Sequence, residues 1–309
     1  MLSSIYHFGL KLDKKFTTSR KLPYPVISVG NVSVGGRGKT PLVVYLCRYF
    51  KEHGVEPIVL TRGYGRESSS PCWLDSYYSD VDIAGDEPTE IFYRTGSAVL
   101  IGKDRYKNAV NYIDHRKILK PIKKAVFILD DGFQHWSLQR DLDIVMVDSH
   151  DFKDKLLPLG RLREPISALK RADFILTKGI GFFKKSKIIS PTLSKRDAVG
   201  VLTTRAADNT YFHKLQKDYP NSVWVKLEDH ANRQKMLRAM GKHSFYQYLV
   251  GAKEAVKLLN SYKEVKEFFE TGRSLIHVDD KIYELFFVDV ELEFKKLAEF
   301  KEYLERFIK

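Results

Sequence analysis

The sequence predicts a doubly wound α/β protein with a mostly parallel sheet, followed by a second, smaller α/β domain. Three observations carry the prediction. Short, continuously apolar runs rich in β-branched residues recur through the first two-thirds of the chain, separated by helical or loop stretches. Strands buried on both faces of a parallel sheet look like this. A glycine-rich loop at 33–40 joins the first run to a helix, and a later run ends in Asp130 and Asp131.

The elements follow from local pattern. In MLSSIYHFGLKLDKKF, Leu2, Ile5, Tyr6, Leu12 and Phe16 fall at roughly helical spacing, with Lys11, Lys14 and Lys15 nearby. That pattern suits a short helix on a membrane surface and equally one packed on the protein body. Pro25 to Val29 is a strand ending in Gly30-Asn31, and a helix begins near Lys39 and runs through Leu46 to Phe50. Pro57 to Thr61 is the next strand, closed by Arg62-Gly63-Tyr64-Gly65, and further runs lie at Ala98–Ile101, Ala125–Leu129, Ile144–Val147 and Phe174–Thr177. Beyond about residue 190 the texture changes. Val199–Thr203 and Ser222–Leu227 read as strands, Lys253–Asn260 and Tyr262–Thr271 as helices, and Phe286–Phe294 as a strand before a closing helix at Lys295–Ile308. The basic stretch Lys184 to Lys195, with Ser186, Ser190 and Pro191, reads as a linker, dividing the chain into 1–190 and 191–309.

Composition sets the class. With 43% hydrophobic and 29% charged residues in 309, the chain is long enough to bury a core and too apolar for disorder. Cys47 and Cys72 are too few for a disulfide framework, which fits a reducing cytoplasm. The net charge of +13 favours polyanionic partners. No zinc-finger spacing or aromatic RNA-binding motif accompanies it, so the expectation is an anionic membrane surface or a phosphorylated ligand, and no nucleic acid. No run reaches the roughly 18 apolar residues of a spanning helix.

The central motif is Ser33-Val34-Gly35-Gly36-Arg37-Gly38-Lys39-Thr40, which departs from G-x-x-x-x-G-K-[ST] only at Ser33. Glycines let backbone N–H groups wrap phosphate oxygens, Lys39 brings charge to the β- and γ-phosphates, and Thr40 offers a hydroxyl to magnesium. The helix that follows points its positive end at the anion. Ala125 to Asp131 supplies the matching element, an apolar strand ending in acid, whose carboxylate at the strand's carboxyl edge can hold magnesium. The fold expected is therefore P-loop NTPase-like, with ATP and Mg²⁺ as its ligands. Thr177-Lys178-Gly179-Ile180 begins like a guanine-reading sequence and lacks its aspartate, so GTP is the poorer guess.

These residues, with others in order along the chain, resemble the tetraacyldisaccharide 4′-kinase family of lipid A biosynthesis. The matching segments are Val29-Gly30-Asn31 with the loop and Pro41, Thr61 to Gly65, Gly85-Asp86-Glu87-Pro88, Asp104-Arg105, and Leu129 to His135 with Leu138, Arg140 and Asp141. Leu157-Pro158, Gly160, Leu162 to Pro165 and Arg171-Ala172-Asp173 complete a resemblance covering residues 26 to about 177. Beyond that it thins: Ala231 follows Asp229-His230, and Gly251 to Leu258 is a degraded Thr-Glu-Lys-Asp-Ala-Val-Lys-Leu block.

The resemblance implies transfer of the γ-phosphate of ATP to the 4′-hydroxyl of a tetraacyldisaccharide 1-phosphate, forming lipid IVA, by a peripheral protein on the cytoplasmic face of the bacterial inner membrane. It implies Asp86 as acceptor of the sugar hydroxyl's proton, with His230 orienting it. Read from residues alone, Asp86-Glu87 before a proline is a helix start and His230 an ordinary surface or core histidine. Asp130 and Asp131 serve magnesium and the loop, with Glu87 assisting. The resemblance also implies that Arg105 and Arg163 neutralise charge on the γ-phosphate or the substrate's phosphate; read from residues alone, surface pairing such as Arg163 with Glu164 is favoured. Gln134 and His135 face the same cleft or merely pack their turn, and Asn31 bonds substrate or caps a turn.

Overall fold

The computed structural model describes residues 8–10, 12, 14–35, 38–64, 66, 70–75, 81–189, 192–194, 196–204, 215–228, 231–259 and 261–309. They form two compact units, one comprising Met1–Ala84, Thr95–Phe183 and Leu292–Lys309, the other Gly85–Arg94 and Lys184–Glu291.

The first unit is built on a seven-stranded sheet. Its strands are β1 (Val26–Asn31), β2 (Glu56–Thr61), β3 (Cys72–Leu74), β4 (Ala98–Ile101), β5 (Ala125–Asp130), β6 (Leu142–Val147) and β7 (Phe174–Thr177), in the spatial order β3-β4-β2-β5-β1-β6-β7. All pairs are parallel except β3 with β4. Every residue of β1, β5 and β6 is buried, which is why these runs are apolar without alternation. Helix α1 (Lys39–Glu52) buries Leu42, Val43, Leu46, Cys47 and Phe50, and it packs on β1, β2 and β5. Ile58, Leu60, Phe127 and Leu129 pack with Ala109, Tyr112 and Ile113 of a later helix, Arg105–Leu119. The doubly wound α/β expectation is met.

Register fixes where chemistry can occur. β1 lies between β5 and β6, with Val29 opposite Asp130 and Asn31 opposite Met146. The strands are parallel, so the loop after β1 and the acids after β5 leave the sheet at one carboxyl edge.

The second unit carries a six-stranded sheet of β8 (Phe182–Ile188), β9 (Gly200–Thr204), β10 (Val223–Leu227), β11 (Gln247–Val250), β12 (Arg273–Val278) and β13 (Lys281–Phe294). Its order is β10-β9-β11-β13-β12, with β8 also on β13, and only the β12–β13 hairpin is shown antiparallel. Numbering helices in chain order, α2 is Val81–Ala84, α3 Asp86–Thr95, α4 Arg105–Leu119, α5 Arg233–Gly241, α6 Ala252–Leu258, α7 Tyr262–Thr271 and α8 Leu297–Glu305.

Linker composition suggests one division at 190, whereas the chain passes between the units several times. Helix α3 belongs to the second unit, where buried Arg94 pairs with Asp289 and, at 2.8 Å, with Glu90. Helix α8 belongs to the first, where the Phe300 ring stacks on Phe294 and meets Phe174 at a tilt, with centroids 5.0 Å apart in each pair. Linker composition marks only one of these crossings; the others are decided by side-chain contacts distant in sequence.

Candidate active site

The loop after β1 begins with Asn31, whose Nδ2 donates to the Ser33 carbonyl at 2.6 Å and whose Oδ1 accepts from Lys39 Nζ at 3.3 Å. Ser33 is buried and bridges Leu162, and Val34 N–H donates to the Arg161 carbonyl at 2.8 Å. Gly35 and Gly38 hold φ of 112° and 94°, the left-handed region that favours glycine, so the chain can curl before α1 starts. No side chain caps α1 and its first turn has no acid, leaving that helix end to an anion. Lys39 and Thr40 open the helix, both half-buried. Gly36, Arg37 and His230 lie outside the described residues.

Charges converge beside the loop. Lys39 Nζ stands 3.4 Å from Asp131 Oδ1, and Arg163 Nη1 donates to Asp131 Oδ2 at 2.7 Å. Burial would raise the Asp131 carboxyl, yet the two cations outweigh it and hold it below the usual carboxylate range. Asp131 has φ of 52°, the left-handed region that few residues but glycine, asparagine and aspartate enter. Asp130, the buried last residue of β5, accepts from Thr61 Oγ1 at 3.1 Å. Arg105 starts α4, buried, and donates to the Lys103 carbonyl at 3.0 Å. Burial lowers its guanidinium to about 10, with Arg62 adding to the effect and Asp130 and Asp131 opposing it.

The turn after β5 locks this corner together. A Cβ on Gly30 would stand 2.5 Å from Phe133 Cβ, so only glycine lets the turn lie against β1. Gln134 Nε2 donates to the Asn31 carbonyl at 3.0 Å and to Glu164 Oε1 at 2.9 Å, while its Oε1 meets Arg163 at 3.5 Å. Glu164 is held by both terminal nitrogens of Arg171 at 3.0 and 3.1 Å. The surface pair Arg163–Glu164 is thus not the one formed: Arg163 answers Asp131 and Arg171 answers Glu164. His135 pairs with Ser137 Oγ at 3.0 Å, and burial, then Arg105 and Arg140, lower its imidazole to about 4. The structure gathers Asn31, Ser33, Lys39, Asp131, Gln134 and Arg163 in one bonded cluster. Glu164 and Arg171 join it through Gln134, and Thr61 holds Asp130, next to Asp131 in sequence, none of the three with a local signal that assigns it a role.

The second unit holds a separate group. Asp86 and Glu87 open α3, placing two acids at its positive end. Glu87 is exposed, while Asp86 Oδ2 pairs with Lys257 Nζ at 2.8 Å. Burial raises the Glu90 carboxyl; Arg94 opposes this, and Glu87 and Glu254 add to it. Among the described residues no cluster of three or more His, Cys, Asp or Glu side chains forms a ready-made metal cage. A magnesium ion arriving with phosphates needs fewer protein oxygens than that, and the Thr40 hydroxyl and the Asp130 and Asp131 carboxylates are oxygen donors of the type it takes.

Helical residues 8–10, 12 and 14–16 precede the sheet, with Phe8 62% and Phe16 76% exposed and Leu12 between them on one face. Lys14 lies over the Trp136 ring at 4.8 Å. Leu2, Ile5 and Tyr6 fall outside the described residues, and no helix among those described is long and apolar enough to cross a membrane.

A family model for tetraacyldisaccharide-1-P 4′-kinase matches residues 1–309. The tetraacyldisaccharide 4′-kinase of Aquifex aeolicus is 43% identical over 169 residues, 53% of this chain and 51% of that protein. That of Psychromonas ingrahamii is 42% identical over 172 residues, covering 55% and 52%, and that of Vibrio cholerae O395 is 38% identical over 187, covering 60% and 53%. The matched stretch thus spans about half the length of these relatives. A crystal structure of "apo" form LpxK from Aquifex aeolicus in complex with ATP superposes on 100% of this chain and 98% of that one, with a TM-score of 0.73 and 28% identity.

Proposed function

From the premise that the chain belongs to the tetraacyldisaccharide-1-P 4′-kinase family, we propose that it transfers the γ-phosphate of ATP to the 4′-hydroxyl of a tetraacyldisaccharide 1-phosphate, giving lipid IVA and ADP. The observation that carries this reading is Lys39, set in the first turn of α1 and 3.4 Å from Asp131 beyond β5. A lysine paired with an acid at a bare helix end is poised to exchange that acid for a phosphate.

Binding places the triphosphate against the N–H groups of the loop, with Lys39 released from Asp131 to the β- and γ-oxygens. Thr40 with Asp130 and Asp131 would hold magnesium, which supplies charge neutralisation on the phosphates when bound. Arg163 and Arg105 add positive charge where the γ-phosphoryl oxygens accumulate negative charge. Asp86 accepts the proton of the 4′-hydroxyl as its oxygen forms a bond to the γ-phosphorus. The bond from that phosphorus to the bridging oxygen breaks, and the electron pair leaves with ADP. His230 orients Asp86.

The acceptor lies in a bilayer, so the enzyme must work at one. Phe8, Leu12 and Phe16 on an exposed face, with a net charge of +13, support peripheral attachment to the cytoplasmic face of the inner membrane. The test is ATP turnover with purified acylated disaccharide 1-phosphate against short soluble glycans. Phosphorylation of the glycans at a comparable rate would defeat the assignment. Removing residues 1–16 is expected to lower both membrane recovery and activity on lipid, and unchanged values would remove the membrane role.

A further inference from the structure

Asp86 has a partner that its own segment does not supply. Lys257 Nζ lies 2.8 Å from Asp86 Oδ2 and donates to the Ala231 carbonyl at 3.2 Å. Both ends are sheltered, with the Lys257 side chain 11% and Asp86 27% exposed, and Ala231 is buried. Ala231 directly follows Asp229-His230, and its N–H donates to the Glu228 carbonyl at 3.2 Å. A second side chain fastens the same segment, Arg233 Nε donating to the Leu258 carbonyl at 2.9 Å. Lys257 and Leu258, adjacent on α6, are therefore stitched to Ala231 and Arg233, and one of the stitches also grips Asp86.

We propose that Lys257 is a positioning residue for phosphoryl transfer: its ammonium fixes the Asp86 carboxylate and anchors the residue following His230. This rests on the reading of Asp86 as proton acceptor. Three features separate it from an ordinary surface ion pair. The ammonium has two acceptors on segments distant in sequence, so its loss frees both. The pair is largely shielded from water, where a contact is worth more than the small value typical of exposed pairs. It also sits in an acidic corner, with Glu87 and Glu90 on the same helix and Glu254 one turn back on α6. Arg94 answers Glu90 and Asp289, and Lys257 answers Asp86.

A residue acting through Asp86 has no further work once Asp86 is disabled, and kinetics can read that. The assay uses the full chain with magnesium–ATP and acylated disaccharide 1-phosphate in mixed micelles, comparing wild type, Asp86→Asn, Lys257→Met and the double variant. Asp86→Asn should lower kcat by roughly 10³-fold. Lys257→Met should lower kcat by about 10- to 100-fold, as small misplacements of a reacting group do, with the KM for ATP changed less than about twofold. The double variant should be no slower than Asp86→Asn alone within about twofold. If Lys257→Met keeps wild-type kcat while Asp86→Asn is inactive, the positioning role is wrong and the proton-acceptor reading stands. Multiplied losses in the double variant likewise overturn it, since Lys257 would then act elsewhere. If Asp86→Asn itself keeps wild-type kcat, the proton-acceptor reading fails and this inference with it. Should Lys257→Met melt too low to assay, Lys257→Arg takes its place in the same cycle, with the same absence of further loss expected beside Asp86→Asn.

Discussion

Two strand–glycine–helix connections in this protein face the same topological task and solve it oppositely. After β1 the chain makes an excursion from Val32 to Gly38, with two glycines at positive φ, before α1 opens on Lys39 and Thr40 with no acid in its first turn. After β11, a single residue, Gly251, leads into α6 at an ordinary φ of −78°. There the first turn contains Glu254, whose Oε2 would lie 2.8 Å from a Cβ at residue 251. The second helix end meets a carboxylate from its own turn, and the first is left bare beside a lysine. A parallel strand feeding a helix is thus not a phosphate site by itself. The loop must be long enough to wrap an anion, and the helix must not have brought one.

The strongest way to break this comparison is to remove the lysine and hydroxyl that open α1. Replacing Lys39 and Thr40 together by alanine should abolish measurable magnesium–ATP binding by calorimetry and lower kcat/KM by at least about 10³-fold, roughly 4 kcal/mol of transition-state stabilisation. Equal ATP affinity in that variant would end the nucleotide reading altogether. Next in size is Arg163→Ala, which strips one of two cations from Asp131. Steady-state kinetics should show kcat down about 10²-fold, with ATP affinity moved far less, because the guanidinium acts mainly on charge that develops during transfer.

A pH test sharpens the contrast from the electrostatic side. His135 has its imidazole lowered from 6.5 to about 4, first by burial and then by Arg105 and Arg140. The folded state therefore binds this proton less readily than the unfolded state. Its contribution is present above pH 6.5 and is lost as pH falls from there toward 4, amounting to roughly 3 kcal/mol at most. Denaturant melts across that window should flatten in His135→Gln, and an unchanged slope would show that His135 is not the group responsible. The smallest effect belongs to the second connection. Glu254→Ala should cost about 1 kcal/mol of stability by melting, through loss of a favourable acid in the first turn of α6. It should leave ATP affinity untouched, and a change there would mean the two helix ends are not independent.

Legibility in the sequence followed contiguity. The loop, its strand and its helix are neighbours along the chain, so the spacing from Ser33 to Thr40 and the buried run from Ala125 to Asp130 could be read directly. Asp130 and Asp131 were readable as acids at a strand end. That Thr61 would hold one, and Lys39 with Arg163 the other, was not, since each is set by strand order and turn geometry. Asn31 was ambiguous for a similar reason: a short amide near a turn bonds either backbone or ligand, and here it holds the Ser33 carbonyl and Lys39. Strands β3, β8, β11 and β12 were missed: β3 is three residues long and β11 four, and β8 and β12 are broken by basic or polar residues.

By itself the sequence determined the parallel-sheet class, the glycine-rich loop between β1 and α1 and the acidic strand end, because backbone conformation, glycine placement and burial periodicity are local properties. Only the tertiary structure decided which cation answers which acid. It put α3, and Asp86 with it, into the second unit, brought Lys257 to Asp86, and returned α8 to the first unit through Phe300. Ion pairs and aromatic contacts act over a few ångströms whatever the separation along the chain, so their partners are settled only once the chain has folded.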